Sequence, residues 1–248
     1  MAGMSWSEAV EVIQPHVVRI STPQGSGTGF LISNGRNNTV CGIATAAHVI
    51  DHAHYWEEPI RIDHISSGKS LVVREDDRAL FLDSNRDTAA ILFDRGELPM
   101  PADALPLVPK AMFLMVGNRI GWLGFPAIPA ASLCFFSGDV SAWLGEQTAY
   151  LVDGVAINGV SGGPAFHIVE TDPGAIVIVG VVSSYVPNRA TGEVLPGLSI
   201  VRDVSQFHEL APTFASLDEA QEAQPPADAP PPKPESQGLG ETPARRAT

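Results

Sequence analysis

Short apolar runs, each bounded by turn formers, dominate this chain and set its fold class. Val17–Ile20, Thr28–Ile32, Val40–Ala44, Leu71–Arg74, Ala89–Phe93, Arg119–Leu123, Ala149–Val152, Ile176–Val182 and Leu198–Val201 are rich in valine and isoleucine, with Gly, Pro, Asn and Asp between them. β-Branched side chains suit a pleated surface, and runs this short fall below ordinary helix length. Among 248 residues, 23 glycines and 21 prolines would break a helix bundle but serve the turns of a sheet. The reading is an all-β barrel or sandwich. Helix is expected near the two ends of this region, as a short capped amphipathic segment at Ser7–Ile13 and a short closing helix at Val204–Leu210.

Composition changes at Pro212. Residues 212–248 hold eight prolines and one aromatic, Phe214, so they have little to bury and are expected to form a disordered tail. Pro231-Pro232-Lys233-Pro234 is the feature there most suited to a partner module. Residues 1–211 are then the folded domain, long enough for a sizeable core. The formal net charge is −13, with −10 on residues 1–211, which argues against nucleic acid as a partner. No run approaches 18 apolar residues, so no membrane-spanning helix is expected, and the N-terminus shows no secretory leader. Two cysteines, Cys41 and Cys134, cannot make a disulfide framework. The expectation is a cytoplasmic protein with reduced thiols, without an internal repeat.

Three segments carry chemistry. In Asn158-Gly159-Val160-Ser161-Gly162-Gly163-Pro164 a serine sits among glycines. Its hydroxyl needs a base and nearby donors to act as a nucleophile. Glycines permit a tight backbone that turns N–H groups toward one point, here those of Gly159 and Ser161. In Ala44-Thr45-Ala46-Ala47-His48-Val49 a histidine follows small residues at the end of an expected strand. In Asp87-Thr88-Ala89-Ala90-Ile91-Leu92 an aspartate opens an apolar strand and could hold His48 in one tautomer. Taken singly, each has an ordinary reading: a Gly-rich loop, a satisfied core histidine, a turn aspartate.

The order His48, Asp87, Ser161, with glycine at the oxyanion position, resembles the trypsin/chymotrypsin-like serine peptidases. Further matching landmarks are Gly25-Ser26-Gly27-Thr28-Gly29-Phe30, Gly180-Val181-Val182-Ser183 and Pro196-Gly197-Leu198. The wording is most similar to bacterial members, including the protease domain of the high-temperature-requirement group. The resemblance implies two packed six-stranded antiparallel β-barrels, about 15–98 and 112–202, with the site in the cleft between them. The crossover is expected near 95–112, where Pro99, Pro101, Pro106 and Pro109 cluster. It implies a serine endopeptidase that works through an acyl-enzyme on protein or peptide substrates, with no cofactor. The chain departs from that group in having no expected peptide-binding module after residue 211, and in carrying Val160 just before the nucleophile.

By the same resemblance, Val155 or Ala156 forms the base of the specificity pocket, Ser183-Ser184-Tyr185 one wall, and Gly197 the other side. No acid stands at the base, so small or apolar side chains are expected rather than Arg or Lys. Tyr185 either narrows the pocket or points to solvent. Val160 offers no charge to a newly cut N-terminal ammonium, so no proteolytic activation is expected. Two other functions compete. His48, His52 and His54 with Asp51 form a histidine cluster, but its spacing lacks a strong metal pattern. A catalytically inactive peptide-binding protein of the same fold is the other.

Overall fold

The computed structural model describes residues 3–35, 40–128, 132–169, 174–187, 194–210 and 216, with backbone alone at 185–187 and 194–196. Residue 216 apart, the expected tail lies outside the described residues. Helix α1 spans Trp6–Ile13. Ser5 caps it: its hydroxyl accepts the Glu8 N–H, and the Glu8 carboxylate accepts the Ser5 N–H, satisfying two N-terminal donors reciprocally.

Seven strands follow: β1 Val17–Thr22, β2 Gly25–Asn34, β3 Val40–Thr45, β4 Ile60–His64, β5 Lys69–Val73, β6 Arg78–Asp83 and β7 Thr88–Asp94, with helix α2 at Ala47–Tyr55 between β3 and β4. They form one sheet in the order β5-β4-β1-β2-β3-β7-β6. The second half contains β8 Arg119–Gly124, β9 Cys134–Leu144, β10 Ala149–Asp153, β11 Pro164–Ile168, β12 Ile176–Pro187 and β13 Val194–Asp203. These close a barrel in the order β10-β13-β12-β11-β8-β9. Residues 205–210 are helical, and the Asp203 carboxylate accepts the Ser205 N–H at 2.7 Å at the start of that turn.

The all-β class and the pair of curled antiparallel sheets are as the sequence implied. Only the carboxyl-terminal half is a closed six-stranded barrel; the amino-terminal half is a seven-stranded sheet whose edges, β5 and β6, form no ladder. A side chain fills that seam. The Arg78 guanidinium donates to the carbonyls of Val73, Glu58 and Ala53, at 3.2, 2.8 and 3.0 Å, and so ties both edges to the C-terminal end of α2.

Each half has its own apolar core. Ile20, Leu31, Ile43, Ile50, Ile62 and Ile91 fill the first sheet. Trp122, Tyr150, Phe166 and Val181 fill the barrel, and their cluster runs on into Ile13, Phe30 and Ala44 of the first half. Part of the boundary between the halves is therefore an apolar core, with each large apolar side chain contributing about 1.5–3 kcal/mol by its burial. Cys41 lies within the first core, and burial pushes its thiol up to about 12, which disfavours the thiolate.

Candidate active site

The imidazole of His48 is presented by a helix, not by the end of a strand. The chain leaves β3 at Thr45 and enters α2 at Ala47, so His48 is the second residue of the helix. Ala46, at the N-cap, has no side chain able to cap. Asp87 supplies that function from the turn before β7: its Oδ1 accepts the His48 backbone N–H at 3.0 Å. Both carboxylate oxygens also lie 2.9 Å from His48 Nδ1. A carboxylate only accepts, so Nδ1 carries the hydrogen and Nε2 is left bare.

Asp87 sits just before β7 with φ +50°, in the left-handed region that aspartate tolerates better than most residues. Its Oδ2 accepts a 2.5 Å hydrogen bond from the Ser183 hydroxyl. Burial pushes the Asp87 carboxyl up, but the hydrogen bonds from His48 and Ser183 outweigh it and hold the group below its ordinary value. The same bond, donated by Nδ1–H to Asp87, raises the His48 pKa against the opposing effect of burial.

Ser161 lies on the turn between β10 and β11. Gly159 and Gly162 have φ of +89° and +87°, and a Cβ on either would collide, with the Phe125 carbonyl and the Thr28 carbonyl respectively. Four successive carbonyls of this turn are each held by a donor. Asn158 O accepts from Ala127 N–H at 2.7 Å, Gly159 O from the Thr28 hydroxyl at 2.8 Å, Val160 O from Gly163 N–H at 3.0 Å, and Ser161 O from Thr28 N–H at 2.8 Å. The N–H groups of Val160 and Gly162 donate to Ile157 and Val182. Among the described residues, those of Gly159 and Ser161 have no acceptor. Because a trans peptide sets its N–H opposite its C=O, fixing the Asn158 and Val160 carbonyls fixes these two free donors.

Thr28, on β2, is fully buried. Its hydroxyl also accepts the Phe125 N–H at 3.0 Å, and its carbonyl accepts the Thr45 hydroxyl at 2.7 Å. One residue thus connects the amino-terminal sheet to the serine turn and to the segment that carries Ala127. Val160 points inward, with no exposed surface, against Gly124 and the barrel core.

His48, Gly159 and Ser161 line one cleft of about 450 Å³, together with Ala127 and Asn158 from the second half of the chain and Thr22, Gln24, Ser26 and His52 from the first. The Ser161 hydroxyl donates to the Ser183 carbonyl at 3.1 Å, and His48 Nε2 has no partner among the described residues. The other residues singled out for substrate contact do not line this cleft. Val155 is half exposed, Ala156 packs against the barrel cluster, Ser184 is exposed, and the Gly197 carbonyl accepts the Gly154 N–H at 2.7 Å. The Tyr185 side chain lies outside the described residues. Ser183, expected as pocket wall, faces Asp87 instead with its hydroxyl. Of the histidine cluster, His48 is paired with Asp87 and His52 with Glu58, while the His54 ring lies 5.4 Å from Tyr55.

Thr28 and Ala127 were not singled out from the sequence. Thr28 stands inside the Gly25–Phe30 landmark, but a threonine in a strand resembles any β-branched filler. Ala127 acts through its backbone, which leaves no side-chain signal.

A family model described as a trypsin-like peptidase domain matches residues 27–172. Among solved structures, a serine endoprotease from Yersinia pestis is similar over 87% of this chain and 68% of its own, with a TM-score of 0.60 and 19% identity. The structure of Deg5 is similar over 87% and 98%, with a TM-score of 0.60 and 16% identity. Rv3671c from M. tuberculosis H37Rv, in an inactive mutant form, is similar over 91% and 97%, with a TM-score of 0.57 and 17% identity. At these identities the likeness is one of fold. No curated protein sequence matches the chain.

Proposed function

The chain belongs to the trypsin-like peptidase domain family, and from this premise we propose that it acts as a serine endopeptidase with Ser161 as its nucleophile, His48 as its general base and acid, and Asp87 as the group that orients His48. The observation that carries this reading is the doubly contacted Nδ1 of His48 on Asp87, with His48 and Ser161 in one cleft. In the proposed cycle the Ser161 hydroxyl turns from the Ser183 carbonyl to His48 Nε2 as substrate enters. Side-chain hydroxyls reorient readily, and catalytic hydrogen bonds often tighten only in the complex.

The serine oxygen then bonds to the scissile carbonyl carbon while its proton passes to Nε2. Negative charge on the carbonyl oxygen falls to the free N–H groups of Gly159 and Ser161, worth about 3–4 kcal/mol per donor in comparable sites. The C–N bond breaks as His48 returns the proton to the leaving amine, and an acyl-enzyme remains. Water repeats the sequence with His48 as base and releases Ser161. Aspartate 87 stays ionised throughout, which its lowered pKa supports. For the acyl-side subsite we propose Val155 and Ala156, outside the cleft lined by His48 and Ser161, as an uncharged base, with Gly197 beside it.

A peptide-binding protein without turnover is the second reading, favoured by the Ser161 hydroxyl resting on the Ser183 carbonyl rather than on His48. Labelling with a serine-directed phosphonate separates the two. A peptidase gives a covalent adduct on Ser161 that Ser161→Ala abolishes, together with cleavage of a peptide library. Absence of both in folded protein favours the binder.

A further inference from the structure

The cleft holds a second histidine–carboxylate pair, one helical turn beyond the first. His52 follows His48 by four residues on α2, which places both on one face of the helix, and both line the cleft that contains Ser161. His52 Nδ1 lies 3.0 Å from Glu58 Oε2. Its backbone N–H donates to Asp51 Oδ1 at 2.6 Å, and the Trp56 ring lies 6.1 Å away. The imidazole is therefore held in place, yet its side chain remains 40% exposed. The mechanism above leaves this pair unused.

Resting on the peptidase reading, the geometry points to His52 as a specificity-determining residue for the leaving-group side of the substrate, favouring side chains that donate hydrogen bonds, above all Lys and Arg. His48 must hand its proton to the leaving amine, so the chain beyond the scissile bond starts at His48. His52 lies one turn further along α2, beside the Thr22–Ser26 hairpin. With Glu58 accepting the Nδ1 hydrogen, the neutral form of the imidazole presents a lone pair at Nε2. The hairpin side chains in the cleft, Thr22, Gln24 and Ser26, are uncharged. Asp51, Glu57 and Glu58 add negative charge at this end. Of the cations, Arg78 is engaged by three carbonyls and Arg61 by Asp63, while Arg19 donates to Ser26 at 3.5 Å. An ammonium or guanidinium donor meets an acceptor nitrogen backed by a carboxylate; an acidic side chain meets that same carboxylate.

The test uses peptides with a fixed acyl side and varied residues at the first two leaving-side positions, read as kcat/KM. Lys or Arg is expected to exceed Glu by about tenfold, the scale of one hydrogen bond to a charged group in a part-exposed site. Glu58→Gln and His52→Leu are each expected to bring that ratio to within about twofold. A flat or acid-preferring wild-type profile overturns the proposal, and so does a ratio that survives both substitutions. Variants that melt earlier but keep the ratio assign the pair to structure alone, with the same result. A small phosphonate with no leaving-side residues separates the two levels. Wild-type protein that labels on Ser161 but shows no leaving-side preference refutes the role of His52 only; protein that does not label refutes the peptidase assignment beneath it.

Discussion

Thr28 and Gly159 are joined across the boundary between the two halves by a 2.8 Å hydrogen bond, from a hydroxyl with no exposed surface to the carbonyl beside a proposed oxyanion donor. The same hydroxyl accepts the Phe125 N–H two residues before Ala127, whose own N–H fixes the Asn158 carbonyl. Donor placement in the serine turn thus depends on a side chain from the other sheet.

Thr28→Val keeps the shape and removes both hydrogen bonds, leaving two buried backbone groups unpaired at about 1–3 kcal/mol each. The expected result is a kcat lower by about 10- to 100-fold with little change in KM, because the oxyanion exists only after binding. Thr28→Ser should recover most of the rate. Steady-state kinetics beside a melting curve check this, and an unchanged kcat in the valine variant refutes it.

Ser161→Ala, His48→Ala and Asp87→Ala should each lower kcat by about 10⁴-fold, with double substitutions hardly worse than single ones, since the three groups act as a unit. Rates on one purified substrate settle the matter. Full activity in Ser161→Ala would remove the assignment.

Activity should fall in acid, and at a higher pH than for an ordinary histidine. Asp87 raises the His48 pKa above 6.5, and only the neutral imidazole accepts the serine proton. The rate should therefore drop as pH falls through that raised value. The pair's contribution to stability runs the other way: charged His48 on Asp87 contributes fully below the unfolded histidine pKa, and the contribution is lost as pH rises through the folded one. A pH–rate profile with NMR titration of the His48 ring tests both. A ring titrating below 6.5 contradicts the geometry.

Much of this site was legible in the sequence, because small residues and glycines around His48 and Ser161 mark places where backbone passes close by. The continuous apolar strands were equally plain. Strands β4, β6, β9 and β11 were not; in β4 the polar Arg61 and Asp63 break the apolar run, alternating with the buried Ile60, Ile62 and His64. His48 reads as the end of a strand because Ala46 and Ala47 carry no cap; its helix is capped by Asp87, distant in sequence. The inward turn of the Ser183 hydroxyl has a similar cause, since its partner is Asp87 and not its own strand.

Uncut protein should react with a serine-directed probe. Val160, with no exposed surface, packs the turn against the barrel core and offers no charge to an N-terminal ammonium. Val160→Asp would bury an unpaired carboxylate, with an expected loss of about 3 kcal/mol or more in stability and of labelling. Mass analysis of labelled protein decides the point: reactivity that appears only after cleavage near Arg19 overturns it.

On the acyl side, a peptide-library profile should favour Ala, Val or Leu, given Val155 and Ala156 where an acid would be needed to read a cation. Cleavage mainly after Arg or Lys would place the pocket base elsewhere.

The hairpin of β6 and β7 holds α2 at both poles. Arg78, at its start, donates to the Ala53 carbonyl near the helix C-terminus, and Asp87, just before β7, accepts the His48 N–H at the N-terminus. Each charge is the sign that the helix dipole prefers at that end. The hairpin is thus a splint for the helix that carries the proposed base, and its turn, 83–87, sets where the imidazole stands. A length change in that turn would move the anion while leaving the cation fixed, tilting His48 in the cleft without altering any other residue that lines it. Variation among relatives of this chain should be freer at the surface of the turn than in its length.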